Sequence, residues 1–79
     1  MGSAAMDVGV VEDGVVRLAV YDIRGSMVRQ LLNEVQPAGR GEVLWDGRDR
    51  RGSAVASGIY FYRVEARGLA QTRRLVLLR

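Results

Sequence analysis

The sequence has no cysteine, no histidine and no lysine, so several residue types that carry enzyme chemistry are missing. Without cysteine the chain has neither a disulfide nor a thiol nucleophile, and without cysteine and histidine the usual zinc sites are excluded. Without lysine no Schiff base can form. We therefore predict that the chain is not an enzyme and binds no metal and no cofactor.

A long apolar run is also missing. A membrane-spanning helix needs roughly 20 predominantly apolar residues, and no segment approaches that length, so we expect no membrane span. Residues 1–6 resemble a short extension left by a cloning vector, with a second methionine at position 6. They lack the charged and apolar regions of a secretory signal, so an exported parent protein would carry its signal outside this sequence.

The basic residues are twelve arginines, which give a net charge of +3. Nucleic-acid-binding surfaces usually concentrate such charges on one element or face. Here nine acidic residues are interspersed with the arginines. We therefore expect no nucleic-acid partner. The alternative, a nucleic-acid-binding module, predicts an oligonucleotide affinity that falls steeply with salt.

Carboxylates are the remaining candidates for catalysis. Asp46 and Asp49 lie close enough in sequence to pair as a general acid and base, as in glycosidases. Aspartates in a polar segment that contains several glycines are more typical of side chains that cap turns, and we favour that interpretation. A calcium loop is disfavoured because Arg48 and Arg50 stand where further oxygen ligands would be needed.

Alternation of apolar and polar residues predicts a half-buried strand over residues 15–22. A type I turn over residues 22–25 joins it to a second strand over residues 27–34. In that second strand Val28 and Leu31 lie three apart and break the alternation, which a helical turn would also explain. We favour a strand with a bulge or an edge bend.

Three more strands are predicted over residues 42–46, 59–66 and 70–78. The polar connection over residues 46–58 contains closely spaced glycines and suits consecutive tight turns between two sheets. The last strand ends in residues 75–78, which are apolar on both faces, and we expect both faces to be covered there.

The predicted fold class is all-β, an immunoglobulin-like antiparallel β-sandwich of five to six strands. We assign residues 15–79 to this immunoglobulin-like domain. Residues 7–14 are either an additional first strand or a loose tail.

The motifs that distinguish the chain are Val20-Tyr21-Asp22, Gly25, Val28, Leu31, Pro37-Ala38-Gly39, Trp45-Asp46-Gly47-Arg48-Asp49, Gly52, Val55-Ala56-Ser57-Gly58, Tyr60 and Leu75-Val76-Leu77-Leu78. This ordered set, over residues 15–79, resembles the immunoglobulin-like domain named after the flagellar hook-capping protein. It is similar too to the C-terminal sorting domains of type IX secretion. Related domains usually begin with a strand containing Asn-Pro, which is absent here.

The resemblance implies a non-catalytic C-terminal module of a secreted or surface bacterial protein, outside the cell. Such a module would serve sorting, anchoring or interaction with secretion or envelope proteins, or with other domains of its parent. The alternative is a structural subunit of a hook-cap scaffold, or of a filament in which an open sheet edge exchanges strands between copies. The predicted interaction residues are Asp46, Arg48, Asp49, Arg50, Arg51, Arg73, Arg74 and Arg79. The predicted structural residues are Trp45, Gly58 and Tyr60.

Overall fold

The computed structural model describes residues 3–78, which form six β-strands. The strands are β1 (Ala4–Val10), β2 (Gly14–Tyr21), β3 (Met27–Gln36), β4 (Gly39–Trp45), β5 (Gly58–Ala66) and β6 (Leu69–Leu77). One antiparallel sheet contains β1 and β4, and the other has the order β3-β2-β5-β6. The predicted all-β, immunoglobulin-like sandwich is confirmed, at the upper end of the predicted strand number.

The core lies between the two sheets, and both contribute to it. Its buried members are Met6, Val8 and Trp45 from the small sheet, and Leu18, Val20, Tyr60, Tyr62, Leu75 and Leu77 from the large one. No charged or polar residue among residues 3–78 is buried. Burial of apolar surface is therefore the main force that holds the two sheets together.

Strand β2 lies inside the large sheet, between β3 and β5. Its residues Val16, Leu18 and Val20 are fully buried, as the alternation in the sequence predicts. Ala19 faces the opposite side and is also buried, with 6% of its surface exposed. Its small side chain lies beneath its neighbours on the outer face of the sheet.

Strand β3 contains the predicted bulge. The pairing with β2 shifts register twice, so that Leu31 and Val28 have no partner residue opposite them. Each bulge adds one residue and changes which side chains face inward. Val28 and Leu31 both pack against the core in consequence, although they are three residues apart.

Two alternatives were open for residues 7–14, an additional first strand or a loose tail, and β1 corresponds to the additional strand. The structure places residues 4–10 in a strand that pairs with β4 in a continuous antiparallel register. Met6 is fully buried, and Val8 has only 7% of its surface exposed. The sheet therefore begins before residue 15 and includes residues 4–6, because two apolar side chains of β1 face the core.

The expectation that both faces of residues 75–78 are covered is wrong. Leu75 and Leu77 face the core, but Val76 and Leu78 have 55% and 73% of their surface exposed. Strand β6 lies at the edge of the large sheet, and its outer face meets no other layer. Apolar side chains on that face are left in water.

Candidate functional site

The connection over residues 46–57 is held to the core by the two aromatic residues that flank it. The Trp45 indole Nε1 donates a hydrogen bond to the Arg48 carbonyl oxygen at 2.9 Å, and the Tyr60 hydroxyl donates to the Ala56 carbonyl oxygen at 2.6 Å. The two rings meet edge to face, with centroids 5.2 Å apart. Gly58 then opens β5 with a φ of 156°, a backbone conformation that favours glycine. Both ends of the connection are thereby fixed.

Inside this connection the chain forms a turn of the same type as the turn that joins β2 to β3. The two five-residue segments are Asp22-Ile23-Arg24-Gly25-Ser26 and Asp49-Arg50-Arg51-Gly52-Ser53. In each, the aspartate Oδ1 accepts backbone N–H bonds from the third and fifth residues, at 2.9 and 3.0 Å. In each, the glycine has a φ of 85°. Both turns have the sequence pattern Asp-X-Arg-Gly-Ser, which could have predicted the second turn from the first. Sequence analysis identified only the turn over residues 22–25.

Replacing Asp49 by alanine should destabilise the domain by about 1 to 2 kcal/mol, because two backbone N–H groups lose their acceptor. The Asp49→Asn variant keeps an oxygen at the same position and should stay within about 0.5 kcal/mol of the parent. Denaturant unfolding followed by tryptophan fluorescence measures both. Equal losses in the two variants would contradict this role for the carboxylate oxygen.

Three residues predicted for interaction form hydrogen bonds within this connection, namely Asp46, Arg48 and Asp49. Asp46 Oδ1 accepts a hydrogen bond from the Arg48 backbone N–H at 3.1 Å and forms an ion pair with Arg29 Nη1 at 2.9 Å. Arg48 Nη1 donates to the Gly52 carbonyl oxygen at 2.8 Å. Asp46 and Asp49 thus act as turn-capping residues, which leaves Arg50 and Arg51 exposed beside them.

The arginines predicted near the end of the chain do not form one surface. Arg73 pairs with Tyr62 and Arg74 pairs with Phe61, so the two arginines lie on opposite faces of β6. Arg79 lies outside the described residues. The structure therefore brings Asp46 to Arg48 and Arg29, but it separates Arg73 from Arg74.

The outer face of the large sheet carries an apolar surface that sequence analysis missed. Met27 lies opposite Tyr21, Tyr21 lies opposite Phe61, and Ile59 lies opposite Val76. Met27, Ile59 and Val76 are each more than 40% exposed. We name these five residues the outer patch. Exposed apolar surface of this kind is typical of protein contacts. The sequence could have predicted this surface, because each strand of the large sheet has an apolar residue on its outer face.

The described part of the chain offers little for other kinds of site. Residues 3–78 contain no cluster of three or more acidic side chains that could hold a metal ion. Over the same residues no helix is long and apolar enough to cross a membrane.

Comparison with known proteins identifies close structural relatives. The family model described as FlgD Ig-like domain matches residues 4–69. The structure of FlgD from P. aeruginosa is similar with a TM-score of 0.72 and 23% identity, over 96% of this chain and 59% of that one. FlgD from Xanthomonas campestris, a protein whose hook capping is essential for flagellar assembly, has a TM-score of 0.72 and 29% identity, over 96% of this chain and 56% of that one.

The chain thus spans less than two thirds of the length of these two solved proteins. No curated protein is significantly similar to it.

Proposed function

Because this chain belongs to the FlgD Ig-like domain family, we propose that it is a non-catalytic structural module of a protein that caps the flagellar hook during assembly. The observation that carries this proposal is the likeness to the X. campestris hook-capping protein at 29% identity over 96% of the chain. The module would act outside the cell, where the hook grows, and its partners would be other protein subunits.

The surface of the molecule supports a role in protein contact. The outer patch leaves apolar side chains in water, and the exposed Arg50 and Arg51 stand on a connection whose backbone is held by hydrogen bonds. Apolar and arginine side chains are both enriched at the centres of protein interfaces. A rigid loop loses little conformational entropy on binding. We propose that both surfaces contact neighbouring subunits.

The sorting function inferred from the resemblance to secretion domains receives less support. The matching family model and both solved relatives are of the FlgD type, and the X. campestris relative is connected with hook capping. None of these three matches is described as a sorting domain. The assembly function, first stated as the alternative, is therefore the one proposed here.

Immunogold electron microscopy of the bacterium that encodes the chain tests the proposal. With an antibody raised against the purified domain, gold particles should lie at the tips of growing hooks. Hooks of the same bacterium treated with pre-immune serum serve as the control. Label on the cell envelope or in the medium, with none on hooks, would contradict the proposal and favour sorting.

A further inference from the structure

The space between the two sheets is filled at one end and open at the other, because of one row of side chains on β4. Its inward-facing residues are Trp45, Val43, Gly41 and Gly39, a series that shrinks from the largest side chain to none. A Cβ atom built on Gly41 or Gly39 would meet nothing within 4 Å. The large sheet therefore faces an uncovered interior surface at this end.

The backbone conformation at position 41 does not require a glycine. It is not among the glycines with positive φ, whereas Gly39 has a φ of 134°. A glycine within a strand weakens the strand and often marks a place where another backbone approaches closely. An alanine or valine would fit at position 41, and would bury apolar surface that glycine leaves open. The empty position therefore suits a second chain.

The resulting cleft has a volume of about 570 Å³. Residues 7–11 form one wall, and the opposite wall contains Tyr62, Val64, Gln71 and Arg73 of the large sheet. Gly39 and Gly41 line the same cleft. A volume of several hundred cubic ångströms is the size of ordinary ligand sites. The elongated walls, each a β-strand, fit an extended peptide.

One wall of the cleft offers main-chain hydrogen bonds. The Tyr62 hydroxyl donates a long hydrogen bond of 3.5 Å to the Asp7 carbonyl oxygen, so this oxygen points into the cleft and away from β4. A carbonyl oxygen has two lone pairs, so a second donor can still bind to it. In an antiparallel strand the N–H and C=O of one residue point to the same side, and the next residue to do so is two positions along. Asp7 and Gly9 therefore present main-chain groups to the cleft. Such a free edge is a template for an added strand.

The charges around the cleft favour an acidic partner. Arg40 and Arg73 both line it, and neither takes part in an ion pair among the described residues. The Asp7 side chain carries the one negative charge among the residues that line this cleft. Two arginines against one aspartate leave an excess of positive charge. A carboxylate on an incoming strand would be attracted to it.

We propose that this cleft accepts an extended segment of another protein, which adds to the free edge of β1. An apolar side chain of the segment points inward, past Val8 toward the space over Gly41. A carboxylate on the opposite face of the segment lies beside Arg40, whose side chain packs near Gly9 on the outer face of β1. Strand addition of this kind obtains affinity from the main chain and specificity from alternate side chains. The inference rests on the proposed function, since the segment belongs to a neighbouring subunit of the assembly.

The test uses the purified 79-residue chain and synthetic nine-residue peptides in which valine or leucine alternates with glutamate. Amide hydrogen exchange measured by NMR should slow at least tenfold at Asp7 and Gly9 when the peptides are added. Control peptides with lysine in place of glutamate should bind at least tenfold more weakly. No slowing at these two amides with any of the acidic peptides would overturn the proposal.

Two variants separate binding in the cleft from binding elsewhere. Gly41→Leu should weaken peptide binding at least tenfold and raise Tm, because the leucine fills the cleft. Its matched control, Ala5→Leu, adds the same side chain to the outward face of β1 and should leave binding unchanged. If Gly41→Leu does not fold, Gly9→Pro removes one edge N–H and should weaken binding in the same way. Unchanged peptide affinity in the folded variant would overturn the proposal.

Light scattering tests whether a second copy of this chain occupies the cleft instead. The chain should be a monomer at the concentrations of the NMR experiment, with or without peptide. Dimers of the parent that Gly41→Leu converts to monomers would assign the cleft to a second copy of this chain and overturn the proposal. These measurements use purified components, so their failure would leave the location of the protein on hooks untouched.

Discussion

Replacing Met6 by aspartate is expected to unfold the domain. Met6 is fully buried between the two sheets, opposite Val43 in the register of β1 and β4. A carboxylate at this position would have no basic partner, and burial of an unpaired polar group costs roughly 2 to 7 kcal/mol before any charge is counted. A chain of this size has a total stability of about 4 to 12 kcal/mol. The substitution should remove most or all of it.

The matched control is Ala5→Asp, which introduces the same side chain one position earlier. Ala5 is exposed and lies on the opposite face of β1. Its variant should melt cooperatively within a few degrees of the parent, since surface substitutions usually change stability by less than about 0.5 kcal/mol. Circular dichroism against temperature measures both variants. Equal melting temperatures for Met6→Asp and Ala5→Asp would contradict the packing of β1 in the sandwich.

Truncating Trp45 to alanine should cost about 3 to 5 kcal/mol. The indole is fully buried, and it is the largest side chain of the core. Its loss also removes the edge-to-face contact with Tyr60 and the hydrogen bond to the Arg48 carbonyl oxygen. We expect the connection over residues 46–57 to loosen together with the core, because both depend on the same ring.

The neighbouring Leu44 provides the control for Trp45. It lies on the other face of β4 with 67% of its surface exposed, so Leu44→Ala should change the free energy of unfolding by less than about 0.5 kcal/mol. Denaturant unfolding monitored by circular dichroism compares the two variants without relying on the tryptophan signal. A similar loss for Leu44→Ala and Trp45→Ala would show that Trp45 is not the centre of the core.

Alternation in the sequence predicted most of the fold, because one buried face imposes a period of two. Residues 15–22 are the clearest case, since Val16, Leu18 and Val20 occupy one face. The bulge in β3 was predicted from Val28 and Leu31. The exposure of Val76 and Leu78 could not be predicted, because it depends on which strand lies at the edge of the sheet, and local sequence does not determine the order of the strands.

The candidate sites were harder to predict than the fold. Sequence analysis predicted both Arg73 and Arg74 as interaction residues of the last strand, but adjacent residues of a strand face opposite ways. It interpreted glycines as turn residues. The open cleft depends on Gly41, a glycine inside a strand, and its inward position follows from pairing with Val8 across the sheet. Pairing between distant strands is not contained in local sequence patterns.

Electron microscopy of hooks from cells in which the chromosomal gene carries Trp45→Asp tests the central claim most directly. The substitution places a carboxylate in the buried core, whereas Leu44→Asp places one on the exposed face of the same strand. If the chain is a structural module of a hook-capping protein, the Trp45→Asp cells should have few or no complete hooks, while cells with Leu44→Asp should have normal ones. Immunoblotting confirms that both variant proteins are made. Complete hooks of normal number in the Trp45→Asp cells would contradict the claim that this domain serves hook assembly.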